Sequence, residues 1–347
     1  MFRRRYGPGM AMKALTKATI YQVAQLAGVS IATVSRALRD SELVTAATRE
    51  RVRAAAKELR FTPSRLGRSL AEGRHAANGI VFPELVGPYY AEVVLGYEAA
   101  AAQLGTSVLI LATNGRTDAD AAVRELAGRV DGLTVMGRTV GDDLVTELAS
   151  TGLPIVLLAR DPVPGLDTVR AQNTRTARVL AAHLTGHGHR RFVFLGDPGG
   201  SPDVAGRYRG VRKALSDEGV ALPAPVRLDG FDLEAGQRAA RDLIAPGLAV
   251  VCANDEIALG VLLAAEAAGL RVPEDLAVTG WDDLLAARFA GLTTVRQPMR
   301  ELGATAARWL DRRITEPDHP AAARRRILPT QLVVRRSCGT HPPEVAR

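Results

Sequence analysis

The chain has 347 residues, enough for more than one domain, and 47% of them are apolar, enough for a full-sized core. Its net charge of +8 is unevenly spread: residues 1–75 hold fifteen Lys/Arg against five Asp/Glu, whereas the remainder hold 30 against 32, so the excess is a local footprint for a polyanion. No 18-residue apolar run spans a membrane, Cys252 and Cys338 alone make no disulfide or metal framework, and Gly7-Pro8-Gly9 after Arg3-Arg4-Arg5 argues against a secretory leader, so a cytoplasmic protein is expected.

In chain order, residues 1–18 read as a flexible basic extension, with Met10 and Met12 as alternative starts. Residues 19–62 read as three short helices. Thr19 is placed to cap the first, and Ile20, Val23, Ala24 and Ala27 share one face at helical spacing. Gly28 suits a left-handed stop, and Ser30 caps a second helix over 31–38. Val34 and Leu38 point to the core, leaving Ile31, Ala32, Ser35 and Arg36 outward. A third helix begins at Thr45. This is helix-turn-helix geometry, in which the second helix enters the major groove of DNA. Pro63, Gly67 and Gly73 mark residues 63–75 as a hinge.

From residue 76 to 336 the texture becomes α/β. Strand-like runs lie at 79–82, 107–112, 132–136, 155–158, 191–195, 248–252 and 276–279. Helical patterns at 92–104, 175–185, 206–218, 233–244 and 256–268 alternate with them, which predicts parallel sheets with a ligand at the carboxyl ends of the strands. Residues 337–347 read as a tail. Arg138, Arg160 and Asn173 follow strands or sit at a crossing and are secondary ligand candidates. His183, His187 and His189 suggest a metal at first, but Gly186 and Gly188 break a helix there and no carboxylate or cysteine completes a shell. Gly196–Gly200 lacks the Lys-Ser/Thr of a phosphate loop, and no G-x-S-x-G is present, so no enzyme chemistry and no cofactor is expected.

Several segments carry a resemblance. TIYQVAQLAGVSIATVSRAL, from Thr19, and VTAATRERVRAAAKELRFTPSRLGRSLAEGR, from Val44, are similar to the DNA-binding segment of the lac-repressor (LacI/GalR) family of bacterial transcription regulators. Arg207-Tyr208-Arg209-Gly210, Ala253-Asn254-Asp255-Glu256-Ile257-Ala258-Leu259-Gly260 and Gly280-Trp281-Asp282-Asp283 resemble that family's R-x-x-G, A-N-D-x-x-A-x-G and G-[YF]-D-D motifs.

The resemblance implies an N-terminal helix-turn-helix domain joined to a two-lobed, periplasmic-binding-protein-like (type I) effector domain. On that match Ile31 and Ala32 read bases, Arg36 reaches a base edge, Thr33 and Ser35 hold phosphates, and Thr19, Tyr21 and Ser30 complete the contact set. Residues 64–71 would form a hinge helix whose Arg65, Leu66, Gly67 and Leu70 meet the minor groove, with Leu70 as the wedge. Gly67 stands where alanine is usual, which costs about 1 kcal/mol of helix propensity and makes the hinge more dependent on DNA. Gly87 replaces a common asparagine, and Gln172 a common aspartate.

The implied effector set is Tyr89, Tyr90, Arg207, Phe231, Asn254 and Asp282, with Arg138 and Arg160 secondary. One of Tyr89 and Tyr90 is expected in the cleft and the other packed; Asn254 is expected to reach the ligand, with Asp255 capping the helix. Residues 76–171 and 299–330 would build one lobe and 172–298 most of the other, with 326–335 as the final strand. The expected partners are a near-palindromic operator, a small-molecule effector (a sugar first, a nucleoside second) and a second copy in a homodimer, because no leucine heptad follows for a tetramer. A family member controlled by a protein partner is the alternative.

Overall fold

The computed structural model describes residues 18–38, 40–61, 74–316 and 322–339. The hinge positions Arg65, Leu66, Gly67 and Leu70 lie outside them. The chain divides into two compact units, Met1–His75 and Ala76–Arg347.

In the first unit the caps decide where helices begin. Thr19 accepts the Gln22 N–H, and the Gln22 side chain accepts the Thr19 N–H, a reciprocal cap that starts α1 (Ile20–Ala27). Gly28, at φ 63°, stops it in a conformation a Cβ disfavours. Ser30 caps α2 (Ile31–Ala37) through the Thr33 N–H, and Thr45 caps α3 (Ala46–Glu58) through the Thr48 N–H. Val23, Ala24, Ala27, Val34, Ala37, Val44, Val52, Ala55 and Ala56 close around one another as a core. Leu38 is only half-buried at the end of α2, and Ala37 takes the inner place beside Val34.

In the second unit, β1 (Ala77–Phe82), β2 (Ser107–Ala112), β3 (Gly132–Met136), β4 (Ile155–Leu158), β5 (Asp167–Ala171) and β10 (Arg325–Leu328) form a parallel sheet in the order β10-β5-β4-β3-β1-β2. Every residue of β1, β3 and β4 is buried, as expected of strands covered on both faces. One cover is α4 (Pro88–Gln103) with α12 (Met299–Thr315), through Val93, Tyr97, Leu302, Ala306 and Leu310. The other is α5 (Ala119–Ala127) with α6 (Asp142–Ser150), through Val123, Leu144 and Val145. The helices α4 and α12 touch backbone to backbone: a Cβ on Gly303 would lie 2.1 Å from the Val93 carbonyl oxygen, and one on Gly96 2.0 Å from that of Arg300.

The second lobe is built on β6 (Arg191–Leu195), β7 (Leu248–Cys252) and β8 (Ala277–Thr279), parallel and in that order. Around them pack α7 (Thr174–Gly186), α8 (Pro202–Asp217), α9 (Leu233–Ala240), α10 (Asp255–Ala267) and α11 (Leu285–Ala290). A ribbon of β9 (Thr294–Arg296) and β11 (Gln331–Val333) continues from the Thr279–Thr293 bridge, and Cys338 returns to the core. The final strand expected over 326–335 is two strands. Pro329 has no N–H for a ladder, so β10 ends before it and β11 begins in the other lobe.

The chain thus crosses between lobes after β5, after β9 and after β10. The crossings are tied together: the Thr330 hydroxyl donates to the Gln172 carbonyl at 2.6 Å and pairs with the Thr176 hydroxyl at 2.7 Å. The Gln172 side chain accepts the Arg175 N–H, so glutamine serves the start of α7 where aspartate was the usual residue.

Candidate DNA-reading surface and effector cleft

In the first unit Ile31, Ala32 and Arg36 are exposed on α2, with Thr33 and Ser35 half-exposed beside them. Thr19, Tyr21 and Ser30 are exposed at the two helix starts, and Tyr21 keeps 69% of its surface. A tyrosine ring left this open has no packing reason to be there. The Ser30 and Thr33 hydroxyls lie 2.9 Å apart at the N-terminus of α2, where backbone N–H groups and the helix dipole favour a phosphate.

In the second unit a cleft of about 570 Å3 opens at the carboxyl ends of the strands. Seven of the eight expected residues line it: Tyr89, Tyr90, Arg138, Arg207, Phe231, Asn254 and Asp282. Tyr89 and Tyr90 both face it, edge to face at 5.3 Å, because Pro88 begins α4 and sets the two rings on adjoining positions of its first turn. Neither is simply core, which corrects the expectation that one would be packed away. Burial, with Asp203 and Asp282 nearby, holds the Tyr89 phenol well above its ordinary pKa, so it is a donor, and its hydroxyl has no protein partner among the described residues.

Arg207 is placed from below. Its Nε donates to Asn173 Oδ1 at 2.8 Å, its Nη1 to the Ala253 carbonyl at 2.6 Å, and its guanidinium lies 4.7 Å over the Trp281 ring. Asn173 does not line the cleft; its amide also donates to Asp203 at 2.8 Å, so it fixes two cleft residues from behind. Asp282 sits at φ 125° and accepts from Gln297 Nε2 at 2.5 Å. Burial raises its pKa well above the carboxylate range, opposed by Arg207 and the Gln297 hydrogen bond. Left-handed backbone at a non-glycine residue is costly and concentrates at functional sites. Arg138 reaches across the cleft from the end of β3 and donates to the Gly199 carbonyl at 2.5 Å.

Two expectations change. Arg160 is buried and absent from the lining: it donates to the Gly137 carbonyl at 2.8 Å and to Asp142 at 2.5 Å, clamping the turn after β3. The cap of α10 is Asn254, which accepts the Ile257 N–H at 2.9 Å and donates to the Phe231 carbonyl at 2.7 Å. Asp255 turns inward, accepting the Leu284 N–H at 2.8 Å and the Thr294 hydroxyl at 2.6 Å. Asp203, Gln297, Glu84, Asp232 and Glu256 also line the cleft and were not singled out. Asp203 follows Pro202 at a helix start as a cap-region acid would, and Gln297 follows a three-residue strand, so neither has a local signature. The histidine segment departs as well: α7 runs through Gly186, and the His183 and His187 rings meet at 4.7 Å beside Cys338.

The arrangement offers a ring-sized cavity with aromatic faces, guanidinium and phenol donors, and carboxylate and amide acceptors. Such a set recognises a small polar ring. Residues 19–64 match the family described as bacterial regulatory proteins, lacI family, and residues 181–338 match a periplasmic binding protein-like domain. The HTH-type transcriptional regulator DegA of Bacillus subtilis (strain 168) is 31% identical over 333 residues, covering 92% of this chain and 98% of its own. Among solved structures, the lac repressor dimer bound to operator and the anti-inducer ONPF matches with a TM-score of 0.83 at 28% identity, over 94% of this chain and 100% of that one. The transcriptional regulator CelR–cellobiose complex matches with a TM-score of 0.68 at 31% identity, over 92% and 100%. With a helix-turn-helix, a two-lobed cleft domain and similarity along nearly its whole length, the chain belongs to the lacI family of bacterial transcription regulators.

Proposed function

We propose that the chain is a sequence-specific repressor that binds a near-palindromic operator as a homodimer and is controlled by a small molecule, a sugar or related metabolite, held between the lobes of residues 76–336. The observation that carries this is the convergence of Tyr89, Tyr90, Arg207, Phe231, Asn254 and Asp282 from five separated stretches on one cavity. The lac repressor match, a dimer on its operator, and the CelR match, with cellobiose, support the two halves of the reading.

Residues 19–62 are the reading head. Ile31, Ala32 and Arg36 meet base edges, while Thr19, Tyr21, Ser30, Thr33 and Ser35 meet the backbone and fix register. Arg65, Leu66, Gly67 and Leu70 contact the minor groove within a hinge over 63–75. Its role is regulation, with no catalysis and no cofactor. The effector favours one arrangement of the lobes, because only a ligand with unequal affinity for two arrangements shifts their balance. Operator and effector must then alter each other's affinity by the same factor.

The test is thermal melting of the purified protein against sugars, nucleosides and bases, with each hit repeated in an operator-binding assay. A true effector raises the melting temperature with the logarithm of its concentration and changes operator affinity. Hits that leave operator binding unchanged, or a protein that binds operator and nothing in the panel, overturn small-molecule control and bring a protein partner forward.

A further inference from the structure

The charges lining the cleft do not balance. Asp197 and Asp229 have arginine partners outside it, Arg227 at 3.5 Å and Arg238 at 2.8 Å. Glu84, Asp203, Asp232, Glu256 and Asp282 have no ion pair among the described residues. Four of them are held by neutral donors: the Asn114 amide, the Asn173 amide, the Ala235 N–H and the Gln297 amide. The fifth, Glu256, lies against the backbone of Gly87, where a Cβ would come within 2.4 Å of its Oε2. Against these five carboxyl groups stand two guanidiniums in the lining: Arg138, committed to Asp161 and the Gly199 carbonyl, and Arg207, with two of its nitrogens committed to Asn173 and Ala253.

The imbalance spans the lobes. Glu84 follows β1 in one lobe, whereas Asp232 and Glu256 begin helices in the other. Burial and then the charges of Asp232 and Glu84 raise the Glu256 carboxyl above its ordinary pKa. Carboxylates brought together without a counter-charge repel, and the repulsion grows as water leaves. A second, independent feature points the same way. Gln297 is 3% exposed, lines the cleft, and its Oε1 has no hydrogen-bond partner among the described residues. A buried acceptor without a donor has an unmet need for an N–H or O–H.

We propose that the effector is cationic: a small hydroxylated amine of the amino-sugar type, its ammonium on Glu256 in the field of Glu84 and Asp232 and its other donors on Asp203, Asp282 and Gln297. This rests on the small-molecule reading above and narrows it. A neutral sugar leaves the repulsion across the lobes in place, and a phosphorylated one adds to it. An ammonium removes it and gains charge-assisted hydrogen bonds. A bare metal ion does not fit, because the described residues hold no group of three or more acidic, His or Cys side chains close enough to ligate one. The rings of Tyr89, Tyr90 and Phe231 suit both a sugar face and a cation.

The test uses the full chain and matched sets of one pentose, one hexose and one nucleoside, each as the neutral parent, the amino derivative, its N-acetyl form and the phosphate. Dissociation constants come from calorimetry at pH 7. The amine of at least one set should bind tenfold or more tighter than its parent, and acetylation should erase the gain. Glu256→Gln and Glu84→Gln should each bring the preference below threefold in a chain that still melts cooperatively. Tightest binding by a neutral or phosphorylated member, or a preference that survives both substitutions, overturns the proposal. Binding by no member of any set, with operator binding intact, overturns instead the effector reading beneath it.

Discussion

Arg36 projects from the exposed face of α2, and among the described residues its guanidinium makes no ion pair or hydrogen bond. Arg36→Ala is expected to weaken specific operator binding by about 1–3 kcal/mol, with nonspecific binding and its salt slope nearly unchanged. Equal losses on operator and random DNA, measured at matched ionic strength, would remove its base-reading role. Single residues were legible in the sequence wherever a short motif carries them. Thr19, Gly28 and Ser30 announce a helix start or stop by type and spacing, and each does so in the structure. Asn254-Asp255 shows where that legibility ends. Either side chain can cap a helix; what decides is that the Leu284 N–H and Thr294 hydroxyl, 29 and 39 residues away, need an acceptor. Arg160 is similar: an arginine after a strand reads as a ligand contact until Gly137 and Asp142 are seen to claim it.

At the scale of elements, the glycine contact between α4 and α12 gives a sharp prediction. Alanine is the better helix former by about 1 kcal/mol, yet a Cβ at 303 meets the Val93 carbonyl at 2.1 Å, and backbone cannot give way. Gly303→Ala should cost about 1–3 kcal/mol of stability in denaturant melts. Gly186→Ala, in the last turn of α7 with nothing within 4 Å, should be neutral or stabilising by up to about 1 kcal/mol. Two losses, or two gains, would refute the packing argument. The continuous apolar strands at 132–136, 155–158 and 248–252 were readable because their residues are buried by covering helices. The strand Asp167–Ala171 was not: one of its two ladder partners lies more than 150 residues on, and its aspartate is buried only because Arg313 and Arg324 meet it at 2.8 and 2.6 Å. Nothing local marks such a strand.

For the whole molecule, buried carboxylates set the response to pH. Burial raises Asp255 from 3.8 to about 6, against hydrogen bonds from Thr294 and Leu284 that lower it. A folded pKa above the unfolded one means the neutral form is favoured by folding. Its contribution is complete below about pH 3.8 and is lost as pH rises through about 6. Asp282 has the same sign, again from burial. Asp167 and Asp283, lowered by their arginines, have the opposite sign: their contributions are complete above the ordinary carboxylate range and are lost as pH falls from it through their depressed values. The melting temperature of the free protein should therefore fall by a few degrees between pH 4.5 and 6.5, and Asp255→Asn should flatten that slope. An unchanged slope in the variant would mean that another group governs the window.

The chain's path has a further consequence during synthesis on the ribosome. Neither lobe is finished until its last stretch is made: α12 and β10 complete one, β11 and Cys338 the other. The reading head, with its own core between Val23 and Ala56, is complete some 270 residues earlier. A ribosome that stalls anywhere in between releases a polypeptide with a folded operator-reading surface and two half-built lobes, their apolar helix faces still open. Such fragments would compete for DNA without answering to any effector, so the cell's proteases, rather than a metabolite, would decide how long they hold it.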